Sequence, residues 1–152
     1  FPLWTGKDIV ADEDEKELDE ELSGGSESIL FVDDEEAIIS LASRSLQALG
    51  YTVSAFSDSL RALDAFRAAP DEFDVVITDQ TMPNLTGLEI AEEMLRIRPG
   101  GPIVLCTGYS KIISEEQMEK LGIRDCLQKP IQRRALGRAI RAALGGRTIE
   151  VK

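Results

Sequence analysis

Asp33, Asp34, Asp79, Thr107 and Lys129 form a set of residue types able to do chemistry together. Each stands at or just beyond the end of a short apolar run: SILFV before the acidic pair, DVVIT before Asp79, PIVLC before Thr107 and DCL shortly before Lys129-Pro130. Three carboxylates in one small site repel strongly: at about 4 Å and an effective dielectric near 20, each pair costs roughly 4 kcal/mol. Such a cluster persists only with a cation or with shared protons. With oxygen ligands alone on offer, the natural ion is Mg²⁺, which keeps waters and takes a few carboxylates plus a phosphate. Lys129 adds a fixed positive charge and Thr107 a hydroxyl donor. Together they make a cradle for a dianionic phosphoryl group carried on a carboxylate, a known form of covalent chemistry at Asp.

For these side chains to meet, the apolar runs must be neighbouring strands. From Ser28 onward the sequence alternates regularly between strand and helix patterns. Strands are expected at 28–32, 51–56, 74–78, 102–106 and 125–127. Helices are expected from Glu35 to Leu49 with Gly50 as its stop, from Leu60 to Ala69, from Leu88 to Ile97, from Ser114 to Gly122, and from Gln132 to Leu144. Ser114 and Gln117 have capping-box spacing; Asp34 reads as the N-cap of the first helix. Five strands alternating with five helices imply right-handed crossovers and an α/β fold, a parallel sheet covered on both faces. Ligand sites in such sheets lie beyond the carboxyl ends of the strands, where the strand order reverses. All five polar residues fall there. A cis Lys129–Pro130 bond is expected, because a sharp turn must aim Lys129 back at Asp79 and a cis X-Pro bond costs only about 0.5–1 kcal/mol.

The chain has 152 residues, a net charge of -11 and 43% hydrophobic residues, which suits one globular domain plus a tail. Residues 1–27 carry ten acidic and two basic side chains, so most of the negative charge belongs to that segment. Its composition cannot offset the entropy of ordering, and it reads as an acidic linker after an isolated FPLW. Residues 28–146 read as the domain and 147–152 as a short tail. No basic patch dense enough to displace phosphate counterions is evident, which argues against nucleic acid as a partner. No run reaches the roughly 18–20 apolar residues needed to span a bilayer, and no signal peptide opens the chain, so a cytoplasmic setting is expected. Cys106 and Cys126 read as free thiols in apolar runs. The absence of His excludes zinc–His sites and Ser-His triads.

ILFVDDEE, then VVITDQTMPNLTG, then IVLCTGYS, then CLQKPI resembles the receiver domain of response regulators and hybrid histidine kinases, over residues 28–145. The resemblance implies a flavodoxin-like, doubly wound sheet of five parallel strands in the order 2-1-3-4-5. It implies that Asp79 accepts a phosphoryl group from a phosphohistidine on a histidine kinase or histidine phosphotransfer domain. By the same likeness Asp34 ligates Mg²⁺ directly, Asp33 does so through water, and the Thr81 backbone carbonyl completes the protein ligands. Lys129 would pair with the phosphoryl oxygens, and Thr107 would swing inward to bond one of them. The acidic linker upstream suggests the C-terminal receiver of a hybrid sensor kinase, a fragment that is not an independent enzyme.

Two positions depart from the family pattern. Cys126 stands where receivers usually carry Tyr or Phe, so no aromatic rotamer there can report phosphorylation, and Thr107 with the fourth helix must carry the signal. Thr81 occupies the variable position two after the acceptor. Tyr109 reads either as a loop aromatic or as a lid beside the phosphate, and Ile39 as an exposed apolar contact. A nucleotide-binding α/β module would want a glycine-rich loop where DDEE stands, and a P-loop GxxxxGK[ST] is absent. An aspartyl phosphatase would want an acid where Thr81 stands. The runner-up is a degenerate receiver serving only as an interaction module; the complete acidic, hydroxyl and lysine set argues against it.

Overall fold

The computed structural model describes residues 26–108 and 114–145. The expectations for the acidic segment before Ser26, for Tyr109 and for residues 146–152 lie outside the described residues. The strands are β1 (Ser28–Val32), β2 (Thr52–Phe56), β3 (Val75–Asp79), β4 (Ile103–Thr107) and β5 (Asp125–Gln128). The helices are α1 (Glu36–Ala48), α2 (Ser59–Ala68), α3 (Gly87–Ile97), α4 (Glu115–Leu121) and α5 (Arg133–Gly145), with a 3₁₀ turn at Pro70–Glu72. All four strand pairings are parallel, and the order is β2-β1-β3-β4-β5. This is the flavodoxin-like arrangement the motifs implied.

The central strands β1, β3 and β4 are apolar without alternation because both faces of the sheet are covered there, whereas the edge strands β2 and β5 are only partly buried. Side chains on successive residues point to opposite faces, so one sheet feeds two cores. Ile29, Phe31, Val75, Ile77, Val104 and Cys106 pack with Leu46 of α1 and Leu136 and Ile140 of α5. Leu30, Val32, Val76, Ile103 and Leu105 pack on the other face with Leu63 and Phe66 of α2 and Ile90 and Met94 of α3. Gly50 takes φ 103° just after α1, and Gly122 caps α4 at φ 87°; both are left-handed conformations that cost glycine little.

Several local expectations change. Asp34 does not cap α1; the residue at that position is Glu35, which has no side-chain cap bond. Asp33 takes part of the role, accepting from the Glu35 backbone N–H at 2.9 Å. Ser114 accepts from Gln117 N at 3.1 Å as one half of a box, whereas the complete capping box belongs to Thr86 and Glu89 at the start of α3. There Thr86 Oγ1 accepts from Glu89 N at 3.2 Å and Glu89 Oε1 accepts from Thr86 N at 2.9 Å. Ile39 is half-buried against the first core rather than exposed, and Cys126 is half-buried while Cys106 is fully so.

The box anchors the helix that follows the acceptor loop. Thr86→Ala removes one half of it, and the expected cost is about 1 kcal/mol. A urea midpoint for Thr86→Ala equal to that of the parent would show that the box does not hold this end of α3.

Candidate functional site

β1 and β3 are adjacent and in register, with Val32 beside Thr78, so the chain leaves both strands at the same level. Asp33 and Asp79 therefore meet at the carboxyl edge of the sheet, and Asp34 joins them from the turn into α1. One oxygen from each of the three carboxylates lies within 4.8 Å of the others. Asp33 and Asp79 are buried, at 1% and 5% exposure, while Asp34 is exposed.

Lys129 reaches this cluster from the end of β5. Its backbone N–H donates to the Thr107 carbonyl at 2.8 Å, and the bond to Pro130 is cis, as the turn argument expected. The Nζ lies 2.9 Å from Asp33 Oδ2 and 3.1 Å from Asp79 Oδ1, with Glu35 a looser neighbour at 3.9 Å. Burial on its own would lower the lysine's pKa, but the hydrogen bonds to Asp33 and Asp79 outweigh it and the net shift is upward. Lys129 is thus a firmly protonated counter-ion. Burial pushes the Asp79 carboxyl above the ordinary carboxylate range, repulsion from Asp33 adds to this, and the Lys129 bond opposes it. One ammonium does not neutralise three carboxylates.

The loop leaving Asp79 is pinned at several points. Gln80 N donates to the Cys106 carbonyl at 2.8 Å, and Gly87 N donates back to the Gln80 carbonyl at 3.0 Å. The Gln80 side chain accepts from Leu88 N at 2.9 Å. From α2, the buried Ser59 hydroxyl donates to the Pro83 carbonyl and accepts from Leu85 N. Asn84 turns the loop at φ 74°, a conformation that asparagine tolerates better than most side chains. Thr81 lies in this loop and is exposed.

Thr107 ends β4 and is buried. It shares the pleat parity of Ile103 and Leu105, which face the second core, and its hydroxyl lies 4.0 Å from the Cys126 thiol. The structure thus brings Asp33, Asp34, Asp79 and Lys129 together, and sets the Thr107 side chain beside Cys126. Residues 29–141 match the family described as the response regulator receiver domain. The chain belongs to that family. A receiver domain from Clostridium thermocellum is 31% identical and superposes with a TM-score of 0.75, covering 82% of this chain and 98% of that one. The receiver domain of the hybrid histidine kinase CckA is 27% identical with a TM-score of 0.64, covering 77% and 98%. Among curated relatives, the Bacillus subtilis alkaline phosphatase synthesis regulator PhoP is 29% identical over 119 residues, 78% of this chain and 49% of that protein. The Brucella abortus sensor kinase CckA is 31% identical over 103 residues, 68% of this chain and 11% of that kinase. The receiver therefore spans about half or less of the curated relatives it matches.

The carboxylate cluster fits a hard divalent cation. It offers only oxygen donors, its three carboxylates face a single ammonium, and burial with repulsion from Asp33 raises the pKa of Asp79. Gln80, Ser59 and the Thr86–Glu89 box were not singled out from the sequence as positioning residues. A lone Gln, Ser or Thr carries no periodic signal; only the xxE spacing after Thr86 was available to find one of them.

Because the folded-state pKa of Asp79 is raised, its charge costs the folded receiver stability above that pKa. The cost disappears as pH falls below the ordinary carboxylate range. In chelator near neutral pH, Asp79→Asn is expected to show a higher Tm than the parent, and the gap should close on acidification. A lower Tm for the variant at neutral pH would show that the Lys129 bond outweighs burial and repulsion.

Proposed function

We propose that this receiver accepts a phosphoryl group on Asp79 from a phosphohistidine of a histidine kinase or histidine phosphotransfer domain, with Mg²⁺ as cofactor. One observation carries the reading. Asp33, Asp34 and Asp79 converge to within 4.8 Å, and Lys129 Nζ bridges Asp33 and Asp79. The likeness to a sensor kinase and to a hybrid-kinase receiver supports a place in a phosphorelay. Residues 28–146 are the proposed accepting unit.

In the transfer, an Asp79 carboxylate oxygen forms the new O–P bond as the P–N bond to the donor imidazole breaks. The electron pair leaves with the imidazole nitrogen, which takes a proton. The transition state is loose, so positioning and charge neutralisation dominate over proton chemistry. Asp33, Asp34 and the Thr81 carbonyl, with Asp79 itself, would hold Mg²⁺. That ion supplies charge neutralisation between an anionic acceptor and an anionic donor. Asp33, through its bonds to Glu35 N and Lys129, keeps the acidic turn and the lysine in fixed relation. Lys129 is free to pass from a carboxylate partner to a phosphoryl oxygen over a short distance, keeping its charge throughout. Thr107 supplies a hydroxyl donor at the neighbouring strand end and must turn away from Cys126 to use it. Gln80, Ser59 and the α3 cap hold the loop that presents the Thr81 carbonyl.

Intact mass after incubation with a small acyl- or amido-phosphate donor tests this reading. The parent chain should gain one phosphoryl unit with Mg²⁺ and none with chelator, and Asp34→Ala should nearly abolish the gain. Lys129→Ala should still bind Mg²⁺ but label more slowly. No gain by the parent chain in Mg²⁺ would favour an interaction module without phosphorylation.

A further inference from the structure

Among the described residues, Glu35 is the one acidic neighbour of Lys129 that stands outside the carboxylate cluster. The cluster is Asp33, Asp34 and Asp79, whereas the Lys129 ammonium meets Asp33 at 2.9 Å, Asp79 at 3.1 Å and Glu35 at 3.9 Å. Its two near partners are buried, and the Glu35 side chain is 64% exposed. The lysine therefore stands between the pocket and an acid on its rim.

Local structure puts Glu35 there. The turn from β1 into α1 leaves it at the N-cap position, where its side chain makes no cap bond; Glu is not among the side chains that cap well. Its backbone is held on both sides. The N–H donates to Asp33 Oδ1 at 2.9 Å, and the carbonyl accepts from Ile38 N and Ile39 N, each at 3.1 Å. Lys129 is held in turn by its own N–H on the Thr107 carbonyl at 2.8 Å. Both backbones are thus fixed, and the ammonium need move only about 1 Å toward Glu35 to turn a loose ion pair into a hydrogen bond.

On the reading that Asp79 is the acceptor and Mg²⁺ occupies the cluster, we propose that Glu35 is a positioning residue that holds Lys129 back at the rim and slows capture of the phosphoryl group. The competition follows from charge. Once Asp33 and Asp79 share their charge with a cation, their hold on the ammonium weakens. Glu35 lies outside the cluster and keeps its full charge. It is then the carboxylate left to compete with the incoming phosphoryl oxygens for the lysine. Because the pair is exposed to water, its effect on rate is about twofold to fivefold rather than orders of magnitude. Plain repulsion of an anionic donor by a rim carboxylate would also slow capture, but it differs in two respects. It needs no lysine, and exposed Glu36, one residue on, would contribute as well.

Initial rates of phosphoryl gain by the whole 152-residue chain test the proposal, read by intact mass with a small acyl-phosphate donor and saturating Mg²⁺. Glu35→Gln is expected to label about two to five times faster than the parent, with an unchanged Mg²⁺ concentration for half-maximal rate. It should bring no gain when Lys129 is already replaced by Ala, since the carboxylate acts through the lysine. Glu36→Gln should label at the parent's rate, a comparison that still decides if the Lys129→Ala chain folds poorly. The pairing is also read without phosphorylation: in Mg²⁺, NMR should show the Lys129 ammonium protons exchanging with water faster in Glu35→Gln than in the parent or in Glu36→Gln. Equal or slower labelling by Glu35→Gln overturns the proposal, as does a shifted Mg²⁺ midpoint or unchanged proton exchange. A gain that persists beside Lys129→Ala, or that Glu36→Gln matches, assigns the effect to repulsion of the donor and overturns it too. A parent chain that gains no phosphoryl mass is a separate outcome: it fails Asp79 as the acceptor, and this role of Glu35 with it.

Discussion

Asp79→Asn is expected to gain no phosphoryl mass under conditions in which the parent chain gains one unit. The substitution keeps the size of the side chain and leaves Lys129 its bond to Asp33 at 2.9 Å. It removes only the anionic oxygen that forms the O–P bond in the proposed transfer. Asp33 is no substitute, because it is 1% exposed and spends both oxygens, one on Glu35 N and one on Lys129. Asp34 is exposed and sits one residue further from the strand, outside the reach of the lysine bonds that hold the other two. The effect is therefore a loss rather than a slowing. Labelling of Asp79→Asn to the parent's level would overturn Asp79 as the acceptor and leave the metal cluster to be explained on other grounds.

Gly87→Ala is expected to be the most destabilising single-methyl change near the site. Alanine in place of glycine in a helix ordinarily stabilises by roughly 0.5–1 kcal/mol. Here a Cβ would stand 2.5 Å from the Asp79 carbonyl oxygen, 2.6 Å from Leu105 Cδ1 and 2.9 Å from the Gln80 Cα. Two of those three atoms are backbone and cannot rotate away. Overpacking of this kind costs about 1–3 kcal/mol and occasionally more, and the clash outweighs the propensity gain. Because the displaced carbonyl is that of Asp79, labelling should fall along with the urea midpoint. A midpoint at or above that of the parent would show that the α3 terminus shifts freely and that the loop is not pinned as described.

Much of this architecture was legible in the sequence because it rests on two simple periodicities. The apolar runs at 28–32, 74–78 and 102–106 are buried on both faces, so they read as strands, and the polar residue ending each run marks the carboxyl edge. Asp33, Asp34, Asp79 and Thr107 stand at those ends, and Lys129 follows the shorter run at 125–127. What stayed hidden depends on side-chain direction and on partners distant in sequence. Asp33 and not Asp34 serves the turn into α1, because the chain leaves β1 with Asp33 inward. Ser59 meets Pro83 and Leu85 across more than twenty positions, and no local pattern announces such a pairing. The four arginines of α5 are diluted in sequence by alanines and leucines, and only winding them onto one helix makes them a face. No helix among the described residues is long and apolar enough to cross a membrane.

The alternation of the pleat also acts as a sorting device. Asp79 shares the parity of Val75 and Ile77, whose side chains belong to the layer of α1 and α5. Thr107 shares that of Ile103 and Leu105, whose side chains belong to the layer of α2, α3 and α4. A load placed on the lysine and the carboxylates is therefore delivered to one slab of the molecule. A pull on the threonine is delivered to the other, through a small thiol in place of a ring. A change at the sheet's edge therefore meets two separate layers, and a substitution within one layer is expected to leave the packing of the other in place.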